Sequence, residues 1–182
     1  MVEIKELDRE EYSGKEFTVQ YQTKGYWDIQ PTSEGFDIFY KSFCEPKEMS
    51  FSDTFFNKWL ENPVGFGAFE AGQLLGYVEG TLEKWNNRYR ISNICIFDSS
   101  NRNKGIGSLL MEVIFAEASK SGARMTVLET QTCNENAIAF YKKYGFKIIG
   151  FDLFAYSNSD PDRKKIRIEM GKAMDLKERK RF

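Results

Sequence analysis

Arg102-Asn103-Lys104-Gly105-Ile106-Gly107-Ser108 is the stretch from which the rest of the chain is read. Before it comes Tyr89–Phe97, a strand-like run. The stretch itself opens Lys104–Lys120, an amphipathic run with Ile106, Leu109, Leu110, Val113 and Ile114 on one helical face. The two glycines allow backbone N–H groups to approach a bulky anion, and the free N–H groups of a helix start point at it. Arg102 and Lys104 add positive charge. The pattern is neither a Walker loop nor the dinucleotide G-x-G-x-x-G. On its glycines alone it reads equally as a turn ahead of a helix. The basic residues and the strand just before it favour a pyrophosphate site.

Upstream, Gly65–Glu70 and Gln73–Glu83 flank Ala71-Gly72 as a hairpin, and Trp85-Asn86-Asn87-Arg88 turns the chain into Tyr89–Phe97. Three antiparallel strands therefore precede the loop. Downstream, Ser121-Gly122 ends the helix, Arg124–Glu129 reads as a strand, and Asn134–Tyr144 is a helix stopped by Gly145. Phe146–Tyr156 and Lys164–Met174 read as a closing strand pair. In the N-terminal third, Phe17, Val19 and Tyr21 alternate as in a strand. Gly35–Phe43 and Phe51–Leu60 read as helices, the second capped by Ser50 or Ser52 with Phe55, Phe56, Trp59 and Leu60 on one stripe. Pro31, Pro46 and Pro63 punctuate these segments. No repeat or linker appears. The expected architecture is α+β, a mixed and mostly antiparallel central sheet with flanking helices, in a single domain over residues 1–182.

Composition narrows the chemistry. The chain has 182 residues, 41% of them hydrophobic and 15% aromatic, enough for one core and an aromatic-lined site. A net charge of −1 predicts no general attraction to nucleic acid or anionic lipid, and Lys177–Arg181 reads as a solvated tail. No apolar run approaches the roughly 20 residues that span a bilayer, and Met1–Glu11 lacks the form of a signal peptide. Cys44, Cys95 and Cys133 have no metal-like spacing and leave one thiol unpaired, so the expectation is a reducing, cytoplasmic compartment and no metal site. With no histidine anywhere, Ser–His and Cys–His nucleophile pairs are excluded.

Arg-x-x-Gly-Ile-Gly after Ile94-Cys95-Ile96 resembles the acetyl-CoA motif of the GNAT superfamily of N-acetyltransferases. About thirty residues later, Asn134-Glu135-Asn136-Ala137-Ile138-Ala139-Phe140-Tyr141-Lys142-Lys143-Tyr144-Gly145-Phe146 is similar to that superfamily's Asn-x-x-Ala-x-x-Phe-Tyr-x-x-x-Gly-Phe. Within it, Trp85–Tyr89 and Leu128-Glu129-Thr130-Gln131 look most like the streptothricin acetyltransferases. The resemblance runs from about Gly65 to Gly150. It implies acetyl-CoA as co-substrate, with backbone groups of Ile94, Cys95 and Ile96 on the pantetheine arm and Arg102, Asn103, Lys104, Gly105, Ile106, Gly107 and Ser108 around the pyrophosphate. It also implies Asn134 on the pantetheine and the Tyr141 hydroxyl at the coenzyme A sulfur. Asn134 is equally suited to capping its helix, and Tyr141 lies in a stripe with Ala137 and Tyr144 that suits a core.

An amine nucleophile with pKa about 10.4 is only about 0.04% neutral at pH 7, a handicap of about 4.6 kcal/mol. A base or a desolvating environment is therefore worthwhile, while a Tyr hydroxyl is protonated at neutral pH without tuning and suits the departing thiolate. Many members of the superfamily carry a carboxylate on the strand before the loop, where this chain has Ser92-Asn93. Glu129, at the end of the next strand, is the candidate base or amine anchor, with Glu79 in reserve; an ordinary strand-end carboxylate and a water relay are alternatives. Cys95 and Cys133 lack a partner to activate them, so direct transfer in a ternary complex is expected. The acceptor is read as a small-molecule primary amine, streptothricin by resemblance, which implies antibiotic resistance; aromatic residues within Tyr21–Tyr40 and acids such as Glu129 suit a cation. A protein or peptide amine and a non-catalytic acyl-CoA-binding module are the other readings. A homodimer stands as a further expectation.

Overall fold

A computed structural model of the protein describes residues 1–174. The basic run Lys177–Arg181 lies outside the described residues. In chain order the elements are strand β1 (Glu3–Glu6), short helix α1 (Arg9–Tyr12), strands β2 (Glu16–Pro31), β3 (Phe36–Thr54), β4 (Val64–Glu70), β5 (Gln73–Glu83) and β6 (Arg88–Ile96), and helix α2 (Ile106–Lys120). Strand β7 (Met125–Gln131), helix α3 (Glu135–Lys143), strand β8 (Lys147–Asp152), short helix α4 (Asp160–Arg163) and strand β9 (Arg167–Ala173) follow. The chain divides into two compact units. The first comprises Met1–Gln20, Ser50–Val127 and the residues from Ala173; the second comprises Tyr21–Met49 and Leu128–Lys172.

In the first unit the strand order is β1-β4-β5-β6 and then the start of β7, with β1/β4, β4/β5 and β5/β6 antiparallel. The β4–β5 turn explains its own sequence. Ala71 and Gly72 both adopt left-handed backbone, φ 49° and 81°, as a two-residue hairpin turn matched to strand twist requires. The β6–α2–β7 connection is the helical crossover that parallel neighbours need, so the sheet is mixed and mostly antiparallel. Helix α2 packs on β4, β5 and β6. Its buried face is Ile106, Leu110, Met111, Ile114 and Ala118. The expected face is thus rotated: Leu109 is 38% exposed and Val113 only partly buried. Gly76 permits the close packing, since a Cβ there would meet Cys95 O at 2.7 Å and Leu110 at 3.2 Å. Beneath the other face lies a cluster of Leu7, Phe17, Val19, Phe55, Phe56, Tyr77 and Cys95. Tilted ring pairs tie it together, Phe17–Phe55 at 4.9 Å and Phe55–Tyr77 at 4.5 Å, each such pair contributing about 0.5–1.5 kcal/mol beyond burial.

In the second unit the end of β7 is followed by β9 and then β8, with β8/β9 antiparallel. The closing strand pair is present but shorter than its hydrophobic runs, because residues 153–166 carry turns and α4. Tyr21–Pro31 and Phe36–Met49 belong to a two-stranded sheet whose turn is closed by Thr32 N–H to Gly35 O at 2.8 Å.

Both helices expected in the N-terminal third are corrected. Of Gly35–Phe43, Gly35 lies in the turn and the rest within strand β3, where Phe36, Ile38, Phe39, Tyr40 and Phe43 follow the β-preference of aromatic and branched side chains. A two-stranded sheet leaves each strand one open edge, which is how β3 admits Pro46. Phe51–Leu60 is the end of β3 and a turn. Phe55, Phe56 and Leu60 are buried, but Trp59 is 68% exposed. Ser52 Oγ pairs with Thr18 Oγ1 at 2.7 Å across the two strands rather than capping a helix.

Candidate active site

The first unit brings together Ile94–Ile96 and Arg102–Ser108. Along β6, Tyr89, Ile91, Asn93 and Cys95 are buried and alternate with partly exposed Ser92, Ile94 and Ile96. Past Ile96, Asp98 caps the 3-10 turn Ser99–Asn101 through Ser100 N–H at 2.8 Å. That bond, with the charges of Lys104 and Arg102, holds the Asp98 carboxyl below its usual range. The loop then turns twice into left-handed backbone, at Asn103 (φ 61°) and Gly105 (φ 83°). Gly105 is the N-cap residue just before α2, and no side chain caps the helix there. A Cβ on Gly105 would meet nothing within 4 Å, so backbone conformation and not crowding selects glycine. An uncapped helix start with no acid in its first turn, with Arg102 and Lys104 just before it, suits an anionic group. Arg102 donates to the Gln20 carbonyl, and Lys104 Nζ reaches Asn101 Oδ1 at 3.0 Å; both acceptors are neutral. Ile106 is 1% exposed, on the buried face of the helix.

Glu129, Asn134 and Tyr141 all lie in the second unit. Asn134 caps α3, its Oδ1 accepting from Ala137 N–H at 3.3 Å, so its amide N–H groups are the end that can serve a ligand. The first turn of α3 is also tied to the hairpin: Glu135 Oε1 accepts from Lys24 N–H at 2.5 Å, its other oxygen accepts from the Tyr40 hydroxyl, and Asn136 Nδ2 donates to Gln22 O at 2.9 Å. Tyr141 is 7% exposed and packs on Phe140 and Phe146 at about 6 Å between ring centroids. Gly145 (φ 85°) ends the helix, with Phe146 N–H returning to Tyr141 O at 3.2 Å. Glu129 is exposed on β7 between buried Leu128 and Thr130, 3.6 Å from the Arg167 guanidinium. Tyr156 stands near it, its phenol pushed up by partial burial and then by the Glu129 charge.

Among the thiols, Cys95 and Cys133 are buried and Cys44 is exposed. Burial pushes both buried thiols up, which disfavours the thiolate a nucleophile needs. Among the described residues no group of three or more His, Cys, Asp or Glu is arranged to hold a metal ion, and no helix is long and apolar enough to cross a membrane.

Glu79 is fully buried in the first unit. Its Oε2 accepts from the Tyr77 hydroxyl at 2.6 Å and Phe56 N–H at 3.0 Å, and its Oε1 accepts from Asn93 Nδ2 at 3.0 Å. Burial pushes its carboxyl up, only partly offset by these donors. Asn93 pairs with Glu79 across the β5–β6 register and also donates to Asp53 Oδ2 at 3.0 Å. The signal in the sequence was a polar residue on the buried face of an alternating strand. In the structure that residue, Asn93, lies beside the Glu79 carboxylate.

The profile of the acetyltransferase (GNAT) family matches residues 32–146. A streptothricin acetyltransferase of Escherichia coli is 30% identical over 130 residues, 71% of this chain and 72% of that protein. The crystal structure of a nourseothricin acetyltransferase superposes with a TM-score of 0.75 at 22% identity, covering 94% of this chain and 98% of that one. A structure from Bacillus anthracis solved in complex with acetyl coenzyme A gives 0.72 at 22% identity, covering 96% and 99%.

Proposed function

The chain belongs to the acetyltransferase (GNAT) family, and from that premise we propose that it transfers the acetyl group of acetyl-CoA to a primary amine of a small cationic molecule of the streptothricin type, in the cytoplasm. The observation that carries the cofactor is the loop: an uncapped helix start at a left-handed Gly105, between Arg102 and Lys104 and directly after the strand Ile94–Ile96. The similarity to the Escherichia coli streptothricin acetyltransferase supports the acceptor class. The family match spans parts of both compact units, which supports reading the chain as one N-acetyltransferase domain.

When bound, acetyl-CoA supplies an activated acyl group. Arg102 and the backbone N–H groups from Asn103 to Ser108 hold the diphosphate, the Ile94–Ile96 backbone and the Asn134 amide hold the pantetheine, and buried Tyr141 places its hydroxyl at the sulfur. The amine nitrogen forms the C–N bond as the C–S bond breaks, and one amine proton is balanced by protonation of sulfur, to which Tyr141 donates. Glu129 serves as amine anchor. The buried thiols take no part, so the kinetics are sequential.

The test is mass spectrometry of the protein with acetyl-CoA and streptothricin, alongside a panel of primary amines. A singly acetylated product with matching release of coenzyme A is expected. Tight acetyl-CoA binding with no product from any amine would overturn the proposal, as would ping-pong kinetics abolished by Cys133→Ala.

A further inference from the structure

The network behind Asn93 has a feature that the transfer chemistry above leaves unused. Both amide hydrogens of Asn93 are committed to carboxylates, Glu79 Oε1 and Asp53 Oδ2, each at 3.0 Å. Ionised carboxylates only accept, so the amide admits a single orientation, with nitrogen toward the two acids and oxygen away from them. The acids are themselves fixed. Glu79 is held by Tyr77 and by the N–H of Phe56, whose left-handed φ of 51° is costly for an aromatic residue and marks a constrained position. Asp53 Oδ1 accepts from Thr54 N–H at 2.8 Å and Asn57 Nδ2 at 2.7 Å. Every one of these donors is neutral. Neither acid forms an ion pair among the described residues.

The Asn93 side chain is nine-tenths buried, at 9% exposure, yet its Oδ1 accepts no hydrogen bond from any described residue. Among the described residues the buried side-chain atoms without a partner are Tyr89 Oη and Ser92 Oγ, so Asn93 Oδ1 retains access to solvent. Two anions bonded to the N–H end raise the electron density on that oxygen, as hydrogen bonds in series do. The result is a rigid, strengthened acceptor one residue before Ile94–Ile96, with two carboxylates directly behind it.

We propose that Asn93 Oδ1 orients the acceptor amine by accepting one of its N–H groups, and that Glu79 and Asp53 act through Asn93 as positioning residues. The inference rests on the acetyltransferase reading above. An amide oxygen takes no proton at neutral pH, so Asn93 directs the nitrogen lone pair and leaves the departing proton to water. It selects acceptors that keep at least one N–H beyond the one lost in transfer, namely primary amines.

The test compares wild type, Asn93→Ala and Asp53→Asn with streptothricin as acceptor, measuring amine KM, kcat and, separately, acetyl-CoA affinity by calorimetry. A hydrogen bond to a charged group is worth roughly tenfold to a hundredfold in affinity, so Asn93→Ala is expected to raise amine KM by about that factor while acetyl-CoA affinity stays within about twofold. Asp53→Asn removes one polarising charge, and it keeps a carboxamide oxygen toward Asn93 only by turning its NH2 toward the Thr54 N–H and Asn57 Nδ2 donors. It is expected to raise amine KM by about threefold or more, and it decides the matter alone if Asn93→Ala does not fold. Normal turnover with unaltered amine KM in the folded variants would overturn the role of Asn93 and leave the acetyltransferase reading standing. A parallel loss of acetyl-CoA affinity would also overturn it, by revealing a structural role. Wild-type protein that binds acetyl-CoA and acetylates no amine would overturn the parent reading and this one with it.

Discussion

Gly107 is the second residue of α2 and half-buried, in a first turn that carries no acid. A glutamate there has two opposed consequences that separate folding from binding. The helix dipole favours a carboxylate in the first turn by about 0.3–1 kcal/mol, so Gly107→Glu is expected to leave the melting temperature unchanged or raise it. The same charge repels a diphosphate at that helix start, and acetyl-CoA affinity should fall by at least about tenfold. Unchanged affinity in calorimetry would place the phosphate elsewhere. Tyr141 allows an equally clean separation, because Phe keeps the ring that packs on Phe140 and Phe146 and removes only the hydroxyl. Tyr141→Phe should lower kcat by about 100-fold, the range of positioned acid catalysis, with little change in acetyl-CoA KM. A rate like wild type would assign Tyr141 to the core alone.

In the proposed function, helix α3 is where capping and binding meet in one side chain. Asn134 uses Oδ1 for the cap and has its N–H groups left for pantetheine. Asn134→Ala loses both and should cost about 1 kcal/mol of stability, read as a lower melting temperature. Asn134→Asp keeps the cap and suits the helix dipole, so stability should survive while acetyl-CoA affinity falls; equal affinity would leave Asn134 as a cap only. Elements like α3, α2 and the β4–β5 hairpin were legible because local chemistry specifies them: Asn134 and Gly145 bound one, Gly105 and Ser121 another, Ala71-Gly72 turns the third. The β2–β3 ribbon was not. Much of β3 is exposed, including Phe36, Ile38, Phe39 and Tyr40, so no in–out alternation marks it as a strand, and its aromatic residues were available to a helical stripe instead. The loop side of the proposed site rests on the glycines and basic residues of Arg102–Ser108, which stand in the sequence itself. The carboxylate behind Asn93 was not, because a buried Glu79–Asn93 pair depends on the β5–β6 register, which includes a bulge between Glu79 and Gly80.

A buried carboxylate of this kind leaves a mark on the stability of the whole molecule. Glu79 has its carboxyl pushed up by burial, so the folded state binds its proton more tightly than the unfolded chain does. Its contribution to stability is fully present below the unfolded value near pH 4.3 and is lost as pH rises through the folded value. Other acids act in the opposite sense. Hydrogen bonds and basic neighbours, outweighing burial, hold Asp28, Glu83 and Asp160 below their usual range, so they add stability above it that is lost on acidification. The net pH profile of the wild type therefore mixes both signs. Subtracting a variant isolates the one of interest, because Asp28, Glu83 and Asp160 are common to both proteins. In Glu79→Gln the side chain is neutral at every pH. It also places an amide donor where a carboxylate oxygen accepted, so it is expected to be less stable than wild type in acid, where Glu79 is itself neutral. As pH rises from about 4.5 to 8, only the wild type meets the cost of an ionised buried carboxylate. The stability gap, measured by urea unfolding at each pH, should therefore narrow steadily toward neutral pH. Parallel curves across that range would mean that Glu79 titrates alike in the folded and unfolded states. They would remove the picture of a desolvated acid behind Asn93, in which the burial of Glu79, the bulge beside it and the left-handed Phe56 belong to a single arrangement.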